Sequence, residues 1–552
     1  MSVKKIFLLF LLINLIISTL ACNNLISPRE TTDSIKEVTP TKKIETTTNK
    51  NENTNQGKQF VRLWSDPATL DPHLSTDATS ANIIVEIFGG LVTINPDMEI
   101  VPDIATRWDI ENNGLSYIFH LNNNATFHDG KSVTALDFKW SFERASNPST
   151  GSPVADEYLG DIIGVKERLK SKTQKVEGIQ VIDDHALKIN IDAPKSYFIA
   201  KLTYPTAFVL DKNNVESSRQ WFLNPNGTGA FKLAKYTPGE NLILKANKNY
   251  HLGAPKIDTA RYVLSGGTAM LMYENDEIDI TGVGLADLDR ILDPSSALNK
   301  DLVKRPPTFQ TSYLGMNSNM PPLDDPNIRL ALNHAINREE ISKIVLADLV
   351  VPATGILPPG FPGYNKNLTG YEYDLEKAKK LIENSKYGNN IPTIKLSTAG
   401  NFGATSVDLD LEVIIENWKA LGITVEIQQT DWATFLQDLY KNRYQMFQIG
   451  WIADYPDPQN FLDILFHSNS SSNHTGYNNP KVDLLLEQAR IEQNKIKRFE
   501  MYNSIEEKIL EDSPWIPLWH SAESYLLIKP RIKNFKISPL IVPNLRYIEI
   551  VE

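Results

Sequence analysis

A single carboxylate follows an apolar stretch near the C-terminal end of the chain. Residues 446–452 read Met-Phe-Gln-Ile-Gly-Trp-Ile, and Asp454 comes shortly after them, two residues before Pro456. A buried carboxylate is costly unless a cation or hydrogen-bond donors pair with it. Asp454 is therefore either a turn residue that accepts backbone hydrogen bonds before Pro456, or a socket for the ammonium group of a ligand, walled by Trp451 and Tyr455.

Motifs of catalysis and nucleotide binding are missing from the sequence. It has no Gly-x-Ser-x-Gly elbow, no His-Glu-x-x-His motif and no Walker loop, and its only cysteine is Cys22. Paired aspartates, such as Asp324 with Asp325 or Asp454 with Asp457, could serve a glycosidase, but aspartates in proline-rich segments are more often turn residues. We therefore expect a binding protein, not an enzyme, with no catalytic residue, no metal site and no cofactor.

The elements that must position Asp454 follow an alternating pattern. Residues 394–397 predict a strand, 409–421 a helix, 424–428 a strand and 434–440 a helix, and residues 446–452 then predict a buried strand. Such alternation is typical of an α/β architecture. With 552 residues the chain is too long for one ordinary core, and we expect about two to four domains.

The overall charge argues against one class of partner. The formal net charge is -11, with 41% hydrophobic and 22% charged residues, a composition typical of a soluble globular protein. Nucleic-acid binders need a basic face to neutralise phosphates. We therefore expect no nucleic-acid partner.

The N-terminus has the pattern of a secretory signal. Lys4 and Lys5 precede an apolar run at residues 6–20, which is too short to be a convincing spanning helix. Thr-Leu-Ala-Cys at residues 19–22 resembles a bacterial lipobox, in which the cysteine is acylated, although Thr19 stands where leucine is usual. We expect residues 1–22 to be a lipoprotein signal ending at lipidated Cys22; the alternative is an ordinary secreted protein with an incidental cysteine.

The segment after this signal is polar. Residues 23–57 are rich in Asn, Thr, Lys, Glu and Ser, with few apolar residues. Such a segment cannot bury enough surface to offset its conformational entropy. We expect a flexible tether between a membrane and a folded body.

Several motifs resemble one family. Trp-Ile-Ala-Asp-Tyr-Pro-Asp-Pro-Gln-Asn-Phe-Leu at residues 451–462, Leu-Asp-Pro-His at 70–73 and the block at 127–135 are similar to signatures of the oligopeptide-binding proteins of ABC importers, family 5 of the extracellular solute-binding proteins. The resemblance covers about residues 59–552. Tyr455-Pro456 favours the oligopeptide branch, because dipeptide-binding relatives usually carry an Asp-Asn-Gly-Asp-Pro-like version.

The resemblance implies a fold and a domain division. The expected fold is α/β, a two-lobed periplasmic-binding-protein-like clam-shell of type II with an additional subdomain on the larger lobe. The expected division is residues 58–90, 205–310 and 520–552 for lobe I, 91–204 for the subdomain, and 311–519 for lobe II.

The resemblance also implies a function. In this family the aspartate at the position of Asp454 pairs with the free α-amino group of a bound peptide. Further ligand contacts are implied for Trp451, Tyr455, Ile452, Thr76, Asp77, Ala78 and Trp432. The expected protein is a monomer outside the cytoplasm, anchored to the outer face of the cell membrane or the periplasmic side, which captures short peptides and delivers them to ABC transporter permease subunits.

Two questions stay open from the sequence. The same fold could serve a peptide pheromone receptor or a binder of dipeptides, nickel chelates, sugars or opines, although Asp454 favours a ligand with an amine. The partner of a peptide's C-terminal carboxylate is also open: some relatives use arginines at the positions of Leu439 and Gln448, and Lys441 and Arg443 lie nearby.

Overall fold

The computed structural model describes residues 57–388, 390–400 and 409–551. The predicted signal, Cys22 and all of the predicted tether except its last residue lie outside the described residues. In the described stretches no helix is both long and apolar enough to cross a membrane.

A seven-stranded mixed sheet forms the core of the first lobe. Its strands are β1 (Gln59–Leu63), β8 (Phe231–Thr237), β9 (Asn241–Ala246), β10 (Thr259–Val263), β11 (Ile280–Gly282), β12 (Leu302–Arg305) and β19 (Ser524–Ile528). The strand order is β12-β19-β11-β1-β10-β9-β8. Strands from both ends of the chain meet here, so this lobe is discontinuous in sequence.

Short helices cover this sheet. They are α1 (Ala78–Ile87), α6 (Lys212–Ser217), α7 (Ala269–Glu274) and α8 (Leu288–Leu292). Asp77 caps the N-terminus of α1: its side chain accepts a hydrogen bond from the Ser80 N–H group at 2.9 Å and so satisfies a donor in the first turn. Ile83, Ile84 and Ile87 of α1 are fully buried, which packs this helix into the lobe core.

An antiparallel subdomain is inserted between β1 and β8. Its four-stranded sheet has the order β4-β5-β7-β6, from β4 (Ala105–Glu111), β5 (Ser116–Leu121), β6 (Ile179–Asp183) and β7 (Ala186–Asn190). A two-stranded ribbon, β2 (Val92–Ile94) with β3 (Ile100–Pro102), precedes it. The helices are α2 (Ala135–Ala145), α3 (Ala155–Leu159), α4 (Val165–Leu169) and α5 (Phe198–Lys201).

The second lobe contains a six-stranded mixed sheet. Its strands are β13 (Gln310–Met316), β14 (Val350–Pro352), β15 (Ile394–Ala399), β16 (Val425–Thr430), β17 (Met446–Ile452) and β18 (Trp515–Ser521). The strand order is β14-β18-β13-β17-β15-β16. The strands predicted at residues 394–397, 424–428 and 446–452 are confirmed as β15, β16 and β17.

Helices surround this second sheet. They are α9 (Pro326–His334), α10 (Arg338–Glu340), α11 (Leu375–Glu383), α12 (Leu409–Lys419), α13 (Trp432–Tyr440), α14 (Gln459–Phe466), α15 (Pro480–Ile491) and α16 (Lys495–Asp512). The predicted helices at 409–421 and 434–440 are confirmed as α12 and α13. A short C-terminal ribbon, β20 (Ile532–Lys533) with β21 (Glu549–Ile550), completes the chain.

Strand β17 differs from the buried strand that its apolar sequence predicts. Met446 and Phe447 are buried, but residues 448–452 are only half-buried. The reason is that the second half of the strand leaves the core and runs beside a cavity, where its apolar side chains are available to another molecule.

Candidate functional site

A cavity of about 300 Å³ is lined by residues of both lobes. One wall comes from β17 and α13 of the second lobe, and the opposite wall comes from the segment before and at the start of α1. The two walls touch, because the Trp432 indole N–H group donates a hydrogen bond to Asp77 Oδ1 at 3.2 Å. The cavity therefore lies where the lobes meet.

Strand β17 presents a partly open edge to this cavity. On one side it pairs with β13 along its whole length, from Met446 to Ile452. On the other side β15 pairs with it only at Met446 and Phe447. In the described part of the chain no strand adds to the second edge of residues 449–452, so this edge can accept an extended segment.

Asp454 lines the same cavity and is held by side chains from two regions. The Tyr158 hydroxyl donates to Asp454 Oδ2 at 2.5 Å, and the Asn460 Nδ2 group donates to the same oxygen at 2.9 Å. Asn460 Oδ1 in turn accepts hydrogen bonds from the Asp454 backbone N–H at 3.0 Å and from the Trp451 indole N–H at 3.2 Å. Buried Asn460, on α14, thus fixes both the carboxylate and the adjacent indole.

The electrostatic state of Asp454 is unusual for an aspartate. Burial raises the pKa of Asp454 from 3.8 to about 6, and the hydrogen bonds from Tyr158 and Asn460 oppose this rise only in part. Among the described residues no lysine, arginine or histidine forms an ion pair with it. A carboxylate in this situation gains most from a cation that arrives with a ligand.

Tyr158 and its neighbour Glu157 join the subdomain to the second lobe. The Tyr158 ring stacks on Tyr204, with ring centres 3.7 Å apart. Glu157 accepts hydrogen bonds from the Ser470, Ser471 and Ser472 hydroxyls at 2.8 to 3.0 Å, and from the Ser472 N–H at 2.8 Å. Helix α3 therefore contacts the second lobe at two places: through Tyr158 at Asp454, and through Glu157 at the serines of residues 470–472.

The structure brings most of the residues expected to contact a ligand into one place. The cavity is lined by Thr76, Asp77, Ala78, Trp432, Trp451, Ile452 and Asp454. Tyr455 lies elsewhere: it is fully buried, its hydroxyl donates to Gln459, and its ring packs edge-on against Tyr158. Tyr455 thus supports the Asp454 site indirectly, by packing against Tyr158, the residue that donates to Asp454.

Other lining residues had no local sequence signal. Tyr204, Tyr313, Tyr440 and His474 also line the cavity, and only their position in the fold identifies them. Burial lowers the pKa of His474 to about 3, so its imidazole is neutral. Leu439 and Gln448 line the cavity as well, whereas Arg443 forms an ion pair with Asp438 at 2.6 Å.

Comparison with known proteins identifies the family. Residues 99–473 match the model of the bacterial extracellular solute-binding proteins, family 5 Middle. The chain belongs to this family. The Escherichia coli (strain K12) periplasmic murein peptide-binding protein MppA is 30% identical over 505 residues, covering 87% of this chain and 91% of MppA. The Bacillus subtilis (strain 168) oligopeptide-binding protein OppA is 26% identical over 488 residues, covering 84% and 88%.

Solved structures of relatives confirm the two-lobed α/β clam-shell. The E. coli murein tripeptide binding protein MppA superposes with a TM-score of 0.82 at 28% identity, covering 90% of this chain and 99% of MppA. Helicobacter pylori DppA in complex with the peptide STSA gives 0.79 at 26% identity, with coverage of 90% and 99%. The unliganded open form of MppA gives only 0.63 at 29% identity, with coverage of 90% and 98%. The lobes here are therefore arranged more like those of the peptide complex.

Proposed function

We propose that this protein captures short peptides outside the cytoplasm, by their backbone and free N-terminus, and delivers them to the permease subunits of an ABC transporter. The observation that carries the proposal is a cavity between two lobes that combines a strand edge and a carboxylate to which the described part of the chain supplies neither a pairing strand nor a cation. The relatives support it, since they are named as binding proteins for oligopeptides and murein peptides.

The open edge of β17 suits a peptide backbone. A peptide can add to an exposed strand edge and pair its main-chain groups there, whatever its side chains. Residues 449–452 span roughly 14 Å at about 3.4 Å per residue, which is room for three to four peptide residues. A peptide that starts at Asp454 and runs back along residues 449–452 would be antiparallel to β17.

Asp454 is the proposed partner of the peptide's α-ammonium group. Asn460 and Tyr158 hold its Oδ2 atom, which leaves the carboxylate oriented before the ligand arrives. Trp451 and Trp432 supply flat apolar surface in the same cavity. We propose Thr76, Asp77, Ala78 and Ile452 as the remaining ligand contacts, with Tyr455 acting only through its packing behind Asp454.

The cellular setting is part of the proposal. We propose that lipidated Cys22 and the polar segment at residues 23–57 tether a monomeric receptor to the outer face of a membrane. We also propose lobe boundaries at residues 58–90, 205–310 and 520–552 for lobe I, 91–204 for the subdomain and 311–519 for lobe II. The seven-stranded, four-stranded and six-stranded sheets fall almost wholly within these ranges.

The test combines a protein change with a ligand change. Asp454→Asn removes the charge and keeps the shape, and N-acetylation of the peptide removes the cation. A charged hydrogen bond contributes about 1.5 to 3 kcal/mol, and a buried ion without its partner costs roughly 3 to 5 kcal/mol. Each single change should therefore weaken binding about a hundredfold or more in calorimetry, while both together should cost little more than one.

A matched control separates this contact from a general charge effect. Asp348→Asn makes the same substitution at an exposed position of the second lobe and should leave affinity unchanged. If Asp454→Asn binds free peptides within about threefold of the wild type, the loss is under about 1 kcal/mol. That result would show that Asp454 is a turn residue and not the partner of the ammonium group.

A further inference from the structure

A second and larger chamber adjoins the peptide cavity. Its volume is about 550 Å³, and it shares Ala78, Thr79, Ile452 and Ile541 with the first cavity. Two of the shared residues, Ala78 and Ile452, are proposed contacts of the peptide. The chamber therefore lies beside the cavity in which the peptide is proposed to bind.

Two arginines line this chamber. Arg62 lies on β1 and Arg305 on β12, and both side chains are half-buried. In the described stretches neither guanidinium forms an ion pair or a hydrogen bond, and Arg62 Nε is buried without a partner. Arg62 instead lies over the Trp64 ring, 4.0 Å from its centre. Burial lowers the pKa of both arginines; for Arg62 the charge of Arg305 lowers it further, while Tyr262 and Glu86 act in the opposite direction.

The charge balance of the chamber is positive. Of the residues that the structure describes, Arg62, Arg305 and Lys536 line it, against one carboxylate, Glu86. Glu86 Oε1 is already used, because it accepts hydrogen bonds from the Asn544 and Leu545 N–H groups at 2.6 and 2.9 Å. Burial raises the pKa of Glu86 to about 7, which weakens its compensation further in mildly acidic solution. This local excess stands out in a chain of net charge -11.

We propose that this arginine chamber, defined by Arg62 and Arg305, binds a carboxylate of the captured peptide and makes the protein selective for peptides that place an acidic group there. The inference rests on the proposed function and specifies its substrate class. Arginine suits the role because its planar fork of N–H donors matches the two oxygens of a carboxylate. The carboxylate is either an acidic side chain or the C-terminus of a short peptide.

Gly282 lies at the wall of the chamber, beside open space. This residue lines the chamber on β11, and a Cβ atom added to it would meet nothing within 4 Å. A larger side chain at this position would occupy the chamber without touching the charge of either arginine. Gly282 thus offers a test of space that is separate from the test of charge.

The experiment compares acidic and neutral peptides by calorimetry on the folded protein freed of bound ligand. The peptides are tri- to pentapeptides of alanine with Glu or Gln at each position in turn, each with a free or an amidated C-terminus. We expect at least about a tenfold preference for Glu at one position if a side chain enters, or for the free acid over the amide if the C-terminus enters. The two arms therefore distinguish the two sources of the carboxylate.

Variants assign the preference to the chamber. Arg305→Gln and Gly282→Leu should each remove most of the carboxylate preference and leave the affinity for neutral, amidated peptides within about threefold. Arg261→Gln removes the same charge from an exposed position on β10 and should keep the preference. Arg305 is the first arginine to change, because Arg62 packs on Trp64 and its loss could disturb folding.

Clear outcomes overturn the inference. Equal affinity for Glu and Gln at every position, with no effect of amidation, removes the selectivity; a preference that survives both Arg305→Gln and Gly282→Leu places the carboxylate elsewhere. In either case neutral peptides that still depend on Asp454 leave the proposed function standing. Absence of binding for every peptide overturns both.

Discussion

The raised pKa of Asp454 predicts how peptide affinity depends on pH. Burial brings this pKa to about 6, and the ammonium group of a peptide binds only the ionised carboxylate. Below about pH 6 a proton must leave Asp454 before the peptide binds, so affinity falls as pH falls. Above about pH 8 the peptide's own α-amino group loses its charge. Affinity should therefore be greatest between about pH 6 and 8.

The magnitude follows from the fraction of ionised Asp454. At pH 5, one unit below its pKa, roughly a tenth of the protein carries the charged form, so the dissociation constant should rise about tenfold, or about 1.4 kcal/mol. With an ordinary aspartate pKa of 3.8, the same change of pH would leave affinity almost unchanged. This fall in affinity below about pH 6, called the acid limb from here on, thus reports the burial of Asp454.

The assay is calorimetric titration of a peptide with neutral side chains and an amidated C-terminus, from about pH 4.5 to 8.5. The wild type should show the acid limb, and Asp454→Asn should bind weakly with no acid limb. The tyrosines around Asp454, Tyr158, Tyr204 and Tyr455, have pKa values raised well above 10 by burial and stay neutral.

Glu157 is the nearest competing explanation, since burial raises its pKa to about 7. Glu157→Gln should retain the limb below pH 6, which separates the two carboxylates. An affinity that stays flat from pH 7 to pH 5, or the same acid limb in Asp454→Asn, would refute the assignment.

Three further predictions concern other parts of the molecule. Cys22→Ala should release the protein from membranes in a fractionation experiment, because one lipid anchor supplies most of the attachment; continued sedimentation with membranes would count against lipidation. Solution scattering should show a smaller radius of gyration when a peptide saturates the ligand-free protein, and an unchanged radius would remove the hinge mechanism. Asp161→Ala should lower the free energy of unfolding by roughly 3 to 5 kcal/mol in denaturant titrations, because it removes the carboxylate partner of the buried Lys201 ammonium group and leaves that of Lys195 to the more exposed Asp192. Lys188→Ala, which breaks a more exposed ion pair, should cost under about 1 kcal/mol, and equal losses in the two variants would contradict this account.

Local pattern was sufficient to locate the strand before Asp454. The apolar run at residues 446–452 predicts β17, and the alternation before it predicts β15, α12, β16 and α13 within a few residues. These predictions succeed because side-chain periodicity reports the backbone conformation of the same segment. Part of the Asp454 site is also local in sequence. Trp451 lies on β17, Asp454 follows that strand, and Asn460 lies on the next helix, α14.

The surroundings of Asp454 were decided by the tertiary structure. Tyr158, which donates to its carboxylate, is 296 residues away in the sequence, and no local pattern links the two. Tyr455 is adjacent in sequence yet faces the core, because the chain turns after Ala453 and directs its ring toward Tyr158. Periodicity within a strand could not anticipate the direction of a side chain beyond the strand's end.

The α/β elements, the apolar strand and the carboxylate that follows it could be predicted from the amino-acid order, because each depends on neighbouring residues. Two features depend on the folded chain: β15 separates from β17 after Phe447, and Arg62 and Arg305, from separate strands of one sheet, line a common chamber. Strand order and the contact between the lobes are set by packing between segments far apart in the chain, which no local pattern encodes. Pockets form where those segments meet, so their chemistry is fixed only when the whole chain has folded.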